Sequence, residues 1–356
     1  MKLDRDFWQG RRVLLTGHTG FKGSWAVTLL RRLGAEVTGI ALPPATTPSL
    51  FDLLQPWVGL DSHCLDIREA AALAPVVAAC RPDIVIHMAA QSLTRRSYRE
   101  PVATMATNVA GTVNLLEALR GVAGLRCVLV VTSDKVYRND DRGDAFAESA
   151  PLGGDDPYAA SKAAMEMVTT AWARSFFDDA GVPVATARAG NVLGGGDFSD
   201  DRLVPDIWRA VDEGRDLMLR YVEATRPWQH ALDLLTGYLV YVQALADRDR
   251  KDVPSSLNFG PAAGESMTVR LVAETMLGAL GGDTSIVVED SSLAEKTALA
   301  IDSGAARQTI GWTPRLDMRA TLDWTAEWYR GVRTGADPRT LTQDQMDRYL
   351  ELGHDG

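Results

Sequence analysis

Three glycines spaced three residues apart follow the first apolar run of the chain. Gly17, Gly20 and Gly23 come directly after the run RRVLLT and lead into a helical pattern over residues 22–33. At such a junction the first glycine permits a tight turn, the second lets the backbone approach a pyrophosphate, and the third lets the helix pack closely on the strand. The N–H groups at the start of the helix can bind phosphate. This feature predicts a β–α unit that holds a dinucleotide.

The first half of the chain alternates strand-like and helix-like segments. Helical patterns over 69–79, 101–119 and 158–177 separate continuously apolar runs, of which the clearest are AEVTGIAL, DIVIHMAA, RCVLVVTS and VPVATARAG. Continuous apolar runs are typical of parallel strands that are buried on both faces. The alternation predicts an α/β fold with a Rossmann-type doubly wound parallel sheet, covered by helices on both sides.

After about residue 190 the alternation loosens, and helices are mixed with short strands. We predict a dinucleotide-binding domain over residues 1–190 plus about 231–262. Residues 191–230 and 263–356 are predicted to form a smaller mixed α/β substrate-binding lobe. In doubly wound folds the ligand crevice lies at the carboxyl edge of the sheet, so the smaller lobe is expected there.

Charge and composition exclude several classes of partner. The chain has 37 Lys and Arg against 47 Asp and Glu, a net charge of -10, which disfavours binding to a nucleic-acid backbone. No apolar run is long enough to span a bilayer, and the first residues have no apolar signal core. Cys64, Cys80 and Cys127 are odd in number and lack the spacing of metal ligands. We expect a cytoplasmic protein with no metal, no nucleic-acid partner and no membrane anchor.

A tyrosine and a lysine stand four residues apart on a predicted helix. Tyr158 and Lys162 share a helix face, although this spacing also occurs by chance on many helices. A phenol with a pKa of about 10 stays protonated at neutral pH and so cannot act as a base. An adjacent ammonium together with a positive nicotinamide would favour the phenolate. Lys162 is also a candidate to bind the nicotinamide ribose. The glycine loop upstream and the strand end Thr132-Ser133 favour the catalytic interpretation over a surface pair.

Short motifs over roughly the first two thirds of the chain resemble the extended short-chain dehydrogenase/reductase superfamily. They are TGHTGFKG, HMAAQS, TNVAGT, VTSDKVY, YAASK and RAGNVLGGGD, in the order of that superfamily, and IGWTPRLDMRATL resembles its closing element. Within the superfamily, the segments FWQGRRVLLTGHTGFKGSW, TPSLFDLL, TSDK and RPWQH are most similar to the group of CDP-glucose 4,6-dehydratases. The resemblance implies NAD as the cofactor and a nucleotide sugar, CDP-glucose before others, as the substrate.

The resemblance also implies a lyase mechanism. Tyr158 would deprotonate the sugar 4-hydroxyl while C4 is oxidised, and Thr132 would bind the 4-oxygen. Water is then eliminated across C5 and C6, and hydride returns to C6 to give a 4-keto-6-deoxy sugar. Sugar dehydratases commonly have Asp-Glu at the acid and base positions, whereas this chain has Asp134 as the candidate acid and Lys135 as the candidate base. A lysine base needs a pKa lowered from about 10.4 toward neutrality; the alternative is a solvated loop pair.

The cofactor site implied by the resemblance extends beyond the glycine loop. It comprises Gly17, His18, Thr19, Gly20, Phe21, Lys22, Gly23, Asp66, Ile67, Ala89, Ala90, Gln91, Asn108, Thr132, Tyr158 and Lys162. The second strand ends Ile40-Ala41-Leu42-Pro43, with neither the acidic residue that holds a ribose 2′-hydroxyl nor an arginine for a 2′-phosphate. We therefore expect a weakly held, easily exchanged cofactor. Two pairs of alternatives stay open: Asp66 binds the adenine amine or caps the next helix, and His18 and Lys22 touch phosphates or are solvated.

The substrate site implied by the resemblance comprises Gln91, Arg95, Asn191, Arg202, Leu203, Arg226 and His230. Arg202 and Arg226 are the cations best placed in sequence for the diphosphate. Arg95 and its neighbour Arg96 are candidates for the sugar pocket. His230 either hydrogen-bonds the ribose or packs in the core.

The apolar faces of the helices predicted over 101–119 and 158–177 suit a second subunit or the core of one chain. Because the superfamily often dimerises through such helices, the resemblance implies a homodimer or a dimer of dimers. Rival functions are a 4,6-dehydratase acting on dTDP-glucose or GDP-mannose, an NAD-dependent nucleotide-sugar epimerase or reductase, and a non-catalytic nucleotide-binding regulator. An epimerase or reductase would keep Tyr158 and Lys162 but would need no acid–base pair at positions 134 and 135.

Overall fold

The computed structural model describes residues 2–250, 252–262, 264–281, 283–289 and 296–352. Residues 1, 251, 263, 282, 290–295 and 353–356, which the predicted domain and lobe include, lie outside the described residues. The strands are β1 (Arg12–Thr16), β2 (Glu36–Ala41), β3 (Asp61–Cys64), β4 (Ile84–His87), β5 (Cys127–Val131), β6 (Ala145–Phe146), β7 (Val184–Ala189), β8 (Val192–Leu193), β9 (Leu217–Leu219), β10 (Thr225–Arg226), β11 (Gln229–His230), β12 (Ser256–Phe259), β13 (Met267–Thr268), β14 (Ile286–Val288) and β15 (Ala300–Ile301).

The α-helices are α1 (Arg5–Trp8), α2 (Phe21–Arg32), α3 (Leu50–Leu53), α4 (Ala70–Cys80), α5 (Thr94–Arg99), α6 (Pro101–Met105), α7 (Gly111–Leu119), α8 (Pro157–Trp172), α9 (Leu203–Glu213), α10 (Ala231–Ala246), α11 (Val269–Leu280), α12 (Gly304–Ile310), α13 (Met318–Arg333) and α14 (Pro338–Glu351). Two π turns (Ala106–Ala110 and Ala173–Phe177) and a 3-10 turn (Asp134–Val136) join or extend them. Among the described residues, none of these helices has both the length and the apolar character needed to cross a membrane.

Seven strands form one parallel sheet in the order β12-β7-β5-β4-β1-β2-β3. The strand order reverses between β1 and β4, because β1 to β3 run toward one edge of the sheet and the later strands toward the other. The loops that leave β1 and β4 therefore diverge and open a crevice at the carboxyl edge. This confirms the predicted Rossmann-type doubly wound parallel sheet.

Both faces of the sheet are buried, which explains why its strands are apolar at consecutive positions. Along β4, Ile84 and Ile86 belong to one hydrophobic cluster, whereas Val85 between them belongs to another. The first cluster contains apolar side chains of α2 and α10, and the second contains those of α4, α7 and α8. Alternate residues of each strand thus pack against helices on opposite sides of the sheet.

The smaller elements after β7 share a core with the sheet. The first hydrophobic cluster continues from the sheet into α9, α11 and α13, so it contains residues from both of the predicted ranges. Asp233 of α10 fastens the last segments of the chain: its carboxylate accepts hydrogen bonds from the backbone N–H of Arg315 at 2.7 Å and of Leu316 at 3.2 Å, and from the hydroxyl of Tyr349 at 2.7 Å. Burial raises the pKa of Asp233 to about 6.

A buried histidine joins the ends of β1 and β4 beneath the glycine loop. Nδ1 of His87 lies 2.6 Å from Oγ1 of Thr16, and Nε2 lies 3.0 Å from Oγ1 of Thr112. The same Thr16 oxygen accepts hydrogen bonds from the backbone N–H groups of Met88 and Ala89, each at 3.1 Å. Burial lowers the pKa of His87 to about 3, so the ring is neutral in the folded protein.

His87→Gln is expected to make the fold less sensitive to acid. The pKa of His87 is lower in the folded protein than its ordinary value of 6.5, so the neutral ring contributes stability above that pH, and this contribution is lost as the pH falls toward 3. At about 1.4 kcal/mol per pH unit, the wild type should lose about 2 kcal/mol more unfolding free energy than the variant between about pH 7.5 and pH 5. Urea unfolding at both pH values measures the difference. His63→Gln, at a half-exposed histidine, should follow the wild type, and equal losses in wild type and His87→Gln would contradict the expectation.

Candidate active site

The glycine loop leaves no room for side chains. A Cβ on Gly17, whose φ is +78°, would lie 2.8 Å from the backbone nitrogen of Ala89, and a Cβ on Gly23 would lie 2.1 Å from the carbonyl oxygen of Gly17. Helix α2 begins at Phe21 with Gly20 as its N-cap, and no side chain caps its first N–H groups. These N–H groups and the bare backbone fit a pyrophosphate, so this loop would hold the phosphates of NAD.

Gly23→Ala is expected to weaken NAD binding by about tenfold or more and to lower the melting temperature, because the new methyl group would collide with backbone rather than with a movable side chain. Gly278→Ala is the matched control, since Gly278 lies in α11 with nothing within 4 Å of an added Cβ. The control should be neutral or more stable by up to about 1 kcal/mol. Titration calorimetry with NAD and thermal unfolding check both variants. Unchanged NAD affinity in Gly23→Ala would contradict the role given to the loop.

His18 and Thr19 attach the glycine loop to β2. The ring of His18 is fully buried over Gly39, where a Cβ would lie 2.5 Å away, and its Nε2 lies 2.7 Å from Oγ of Ser62. Burial lowers the pKa of His18 to about 4. The hydroxyl of Thr19 donates to the carbonyl oxygen of Leu42 at 2.8 Å. The buried ring contradicts the alternative in which His18 is solvated.

Asp66 and Ile67 follow β3 at the same edge of the sheet. Oδ1 of Asp66 accepts a hydrogen bond from the backbone N–H of Arg68 at 2.9 Å, and the carboxylate forms an ion pair with the Arg68 guanidinium at 2.6 Å. The N-cap of α4 is Glu69, so Asp66 closes a turn before the helix instead of capping it. Ile67 is buried and packs against Gly111. Contact of Asp66 or Ile67 with adenine stays a prediction.

Asn108 holds the loop after β4 over the edge of the sheet. Its Oδ1 accepts a hydrogen bond from the backbone N–H of Gln91 at 2.8 Å, and its Nδ2 donates to the Gln91 carbonyl at 3.0 Å and to Oγ of Ser161 at 2.8 Å. Asn108 lies in a π turn, which interrupts the continuous helix predicted there. Ala89 and Ala90, in the same loop, are half-buried beside the glycine loop. The Gln91 side chain is hydrogen-bonded within its own loop and to α6 and does not line the cavity described next.

A cavity of about 240 Å³ opens at the carboxyl edge of the sheet. It is bounded by the start of α2, the loops after β4, β5 and β7, and the start of α9. It brings together ten of the predicted site residues, namely Lys22, Arg95, Thr132, Asp134, Lys135, Tyr158, Asn191, Arg202, Leu203 and Arg226. The site thus lies where a doubly wound sheet is expected to bind its ligand.

Tyr158 and Lys162 occupy successive turns of α8 but contact different groups. Tyr158 lines the cavity and is 8% exposed, and burial raises the pKa of its phenol to about 12, while interaction with Ser133 lowers it. Nζ of Lys162 donates to the carbonyl oxygen of Val131 at 3.1 Å. Burial, and then the charge of Lys22, lower the pKa of Lys162 to about 7. In the chain by itself the phenol is protonated, and its activation by Lys162 stays a prediction for the complex with NAD.

Lys22 extends from the glycine loop into the same cavity. Burial lowers its pKa to about 8; the nearby charge of Arg202 lowers it further, whereas Asp134 and Asp197 raise it. Lys22 therefore lies where the cofactor loop meets the predicted acid, and it lines the cavity rather than the open surface.

The turn after β5 presents the predicted acid and base. Asp134 is 4% exposed, and one of its carboxyl oxygens accepts a hydrogen bond from Oγ of Ser133 at 3.0 Å. Burial raises the pKa of Asp134, which favours the protonated form that an acid needs. Nζ of Lys135 donates to Oγ1 of Thr94 at 3.0 Å, and Lys135 borders both the main cavity and a second cavity of about 300 Å³. The burial of Asp134 contradicts the alternative of a solvated loop pair.

Three arginines also line the cavity. Arg226 is 7% exposed, and a guanidinium nitrogen of Arg202 lies 3.7 Å from the carboxylate of Asp197. Guanidinium groups match the geometry of phosphate oxygens, which keeps both as candidates for the diphosphate of the substrate. Arg95 also lines the cavity, whereas Arg96 forms an ion pair on the surface of α5 and is not brought to the sugar pocket.

His230 is packed in the core. Its ring is fully buried between Trp25 and Trp324, with ring centroids 6.1 and 6.0 Å away. Its Nδ1 accepts a hydrogen bond from the backbone N–H of Leu232 at 3.2 Å, which caps α10. Burial lowers the pKa of His230 to about 3. Of the two alternatives for this residue, the structure therefore matches core packing and does not bring it to the cavity.

Two charged side chains beneath the cavity were absent from the predicted site. Oγ1 of Thr132 donates a hydrogen bond to Oε1 of Glu166 at 2.5 Å, and Glu166 forms a buried ion pair with Arg188. Glu166 follows Lys162 at the same four-residue spacing that joins Tyr158 and Lys162, so the helix-face reasoning extends to it. Arg188 stands inside an apolar strand run, where an unpaired charge is rare, and this signals a buried partner.

Known proteins are similar to this chain over most of its length. A model of the NAD dependent epimerase/dehydratase family matches residues 13–259. The chain is 40% identical over 354 residues to a CDP-glucose 4,6-dehydratase of Salmonella typhimurium, covering 98% of each chain. It is 29% identical over 339 residues to a dTDP-glucose 4,6-dehydratase of Streptomyces antibioticus, covering 92% of this chain and 94% of the relative.

Solved structures share the fold over most of the chain. The dTDP-glucose 4,6-dehydratase DesIV of Streptomyces venezuelae, with NAD bound, is 26% identical with a TM-score of 0.76 and covers 92% of this chain and 99% of that chain. The epimerase Mth375 of Methanothermobacter thermautotrophicus shares the fold with a TM-score of 0.81 at 21% identity, over 93% of this chain and 97% of that chain. The predicted superfamily and the expectation of an NAD-dependent enzyme are confirmed. This chain belongs to the NAD dependent epimerase/dehydratase family.

Proposed function

We propose that this chain is a nucleotide-sugar 4,6-dehydratase that converts CDP-D-glucose to CDP-4-keto-6-deoxy-D-glucose and water. The observation that supports this most is the placement of Asp134 and Lys135 beside Tyr158 in one cavity. An epimerase or a reductase uses the tyrosine but needs no second acid and base, whereas elimination of water needs both. The relative with 40% identity over 98% of the chain is named for CDP-glucose, which favours cytosine as the base of the nucleotide sugar.

In this proposal three side chains, Tyr158, Lys135 and Asp134, carry the proton transfers. NAD bound at the glycine loop supplies the acceptor and later the donor of hydride. Thr132 orients the 4-hydroxyl, and Tyr158 takes its proton as C4 becomes a ketone. The ketone acidifies the C5 proton, which Lys135 removes, while Asp134 gives a proton to the 6-oxygen that leaves as water. Lys135 returns a proton to C5 at the end; the proton gained by Tyr158 then balances the one lost by Asp134.

We further propose that residues 191–230 and 263–356 form the substrate-binding lobe, with Arg202 and Arg226 on the diphosphate. A homodimer or dimer of dimers is supported by large apolar side chains that are exposed on α6, on α8 and on the π turn after α8, namely Val102, Met105, Met167 and Phe176. A cytoplasmic location is supported by the three cysteines, none of which is in a disulfide.

Incubation with NAD and, separately, CDP-glucose, dTDP-glucose, UDP-glucose and GDP-mannose tests the proposal. We expect mass spectrometry to show loss of water from CDP-glucose at a rate at least about tenfold above the others. If only one of the other substrates is dehydrated, the nucleotide of that substrate replaces CDP in the proposal. A product of unchanged mass would indicate epimerisation, and NAD binding without any turnover would favour a regulator.

A further inference from the structure

The buried carboxylate of Glu166 accepts hydrogen bonds from three side chains beneath the cavity. The side chains of Glu166 and Arg188 are 3% and 5% exposed, and the guanidinium donates two hydrogen bonds to the carboxylate, at 3.0 and 2.9 Å. Thr132 donates to Oε1 at 2.5 Å, and Thr186 donates to Oε2 at 2.7 Å. Burying an ion pair costs so much desolvation free energy that an apolar pair is often equally stable, so stability alone does not explain its presence at this site.

The ion pair is itself held in place. Arg188 donates from Nη1 to the hydroxyl of Tyr137 at 2.9 Å, and its guanidinium lies over the Tyr137 ring at 5.1 Å from the centroid. The Tyr137 hydroxyl in turn donates to Oδ1 of Asn258 at 2.7 Å. Because both ends of the guanidinium are occupied, the carboxylate of Glu166 has one arrangement available and its oxygens point at fixed partners.

Glu166 determines whether the hydroxyl of Thr132 can donate or accept a hydrogen bond with a ligand. A hydroxyl has one hydrogen to donate and two lone pairs to accept with. The hydrogen of Thr132 goes to the carboxylate at 2.5 Å, which is far shorter than its 3.3 Å contact with the carbonyl oxygen of Ala187. Hydrogen bonds to a carboxylate are stronger than those between neutral groups, so this direction persists. Thr132, which lines the cavity, therefore faces it as an acceptor.

We propose that Glu166, anchored by Arg188, is a positioning residue that keeps Thr132 as a hydrogen-bond acceptor for the hydroxyl that Tyr158 deprotonates. The inference rests on the proposed function, since it takes that hydroxyl to be the 4-hydroxyl of the sugar. An acceptor binds the sugar as an alcohol and orients its oxygen toward Tyr158. It gives no hydrogen bond to the ketone, so the 4-oxygen is released from Thr132 once the proton has left. Tyr158, which then carries the proton, remains as the donor to the ketone oxygen.

The same carboxylate acts on Lys162, one helical turn earlier in α8. Burial lowers the pKa of Lys162 to about 7, and the negative charge of Glu166 opposes that shift. The other charged group that acts on Lys162 is Lys22, which lowers the pKa. Glu166 thus also favours the ammonium form of the residue expected to contact the nicotinamide ribose.

A double-mutant cycle tests the proposal. Glu166→Gln keeps the shape of the side chain but removes its charge, and Thr132→Val removes the hydroxyl. Each is expected to lower kcat on CDP-glucose about tenfold with KM changed by less than about threefold, and the double variant should be no slower than the slower single variant. Binding of CDP alone, measured by calorimetry, should change by less than about threefold, because the proposed function assigns Thr132 to the sugar and Arg202 and Arg226 to the diphosphate.

Two further variants separate positioning from general stability. Glu327→Gln, in a surface ion pair with Arg348 at 2.8 Å, is the matched control and should leave kcat within about twofold. Thr186→Val is nearly isosteric and removes one donor to Glu166, so it replaces Glu166→Gln in the test if that variant does not fold. Thr186→Val should lower kcat about threefold when introduced into the wild type and should not lower it further when introduced into Thr132→Val.

Three results would overturn the inference. They are a kcat within about twofold of wild type in Glu166→Gln, effects of Glu166→Gln and Thr132→Val that multiply, and, for the isosteric variant, an equal effect in both backgrounds. A wild-type enzyme that dehydrates none of the four nucleotide sugars would instead overturn the proposed function, and with it the role given to Thr132. If wild type turns over and the effects multiply, the function stands and the positioning role alone falls.

Discussion

Tyr158→Phe is expected to lower kcat on CDP-glucose by about 10³-fold while NAD still binds. The substitution removes the phenolic oxygen that takes the proton of the 4-hydroxyl, and a positioned base contributes about 10²- to 10⁴-fold. The ring itself is kept, and the glycine loop expected to hold the phosphates of NAD lies at the start of α2 and not on α8, so NAD affinity should change by less than about threefold. Assay of water loss by mass spectrometry and calorimetric titration of NAD measure the two quantities.

Tyr241→Phe is the control for this substitution. Its hydroxyl is buried on α10, donates to the carbonyl oxygen of Pro254 and does not line the cavity. We expect about 1 kcal/mol lower stability and a kcat within about twofold of wild type. If Tyr158→Phe keeps a kcat within about tenfold of wild type, Tyr158 is not the base.

Lys135→Met is expected to stop the reaction after oxidation at C4. Methionine keeps the length of the side chain but has no amine to remove the C5 proton, so elimination should slow by at least about 10²-fold. Oxidation does not use Lys135, and reduced cofactor should therefore accumulate when the variant is mixed with CDP-glucose. Stopped-flow absorbance of the reduced cofactor follows the first step, and mass spectrometry follows the loss of water.

Lys296→Met controls for loss of a lysine from the same region. Lys296 lines the second cavity together with Lys135 and pairs with Asp155 at 2.9 Å, but it does not border the main cavity. Because this ion pair is exposed, its loss should leave kcat within about threefold. If Lys135→Met forms the 4-keto-6-deoxy product near the wild-type rate, another residue removes the C5 proton.

The fold could be predicted because its strands are buried on both faces and its first turn is rich in glycine. Both features are local: continuous apolar runs need no partner to be recognised, and Gly17 and Gly23 stand where any side chain would collide with backbone. The π turn at Ala106–Ala110 was missed because it depends on a distant requirement, the hydrogen bonds from Asn108 to Gln91 and Ser161. The spacing of apolar residues does not report such contacts.

The candidate site was predictable where its residues end a strand or begin a helix. The turn 132–135 and Tyr158 meet in one cavity because the carboxyl ends of parallel strands share an edge. The contacts of individual side chains were harder to predict from the sequence. His230 packs between tryptophans in the core, whereas Asp134 lines the cavity, and the residues next to them in sequence do not show this difference. Glu166 was missed because its partners lie just after β5 and on β7, far from α8 in sequence.

The anchoring of the chain end at Asp233 has a consequence for how the enzyme melts. Helix α10 packs against the sheet. The carboxylate of Asp233 on this helix also binds the segment before α13 and the hydroxyl of Tyr349 on α14. Removing α14 would leave a buried carboxyl group short of a donor directly behind the sheet, a defect that costs about 1–3 kcal/mol. The cofactor cleft and the chain terminus are therefore expected to unfold together as one cooperative unit, in a single calorimetric transition.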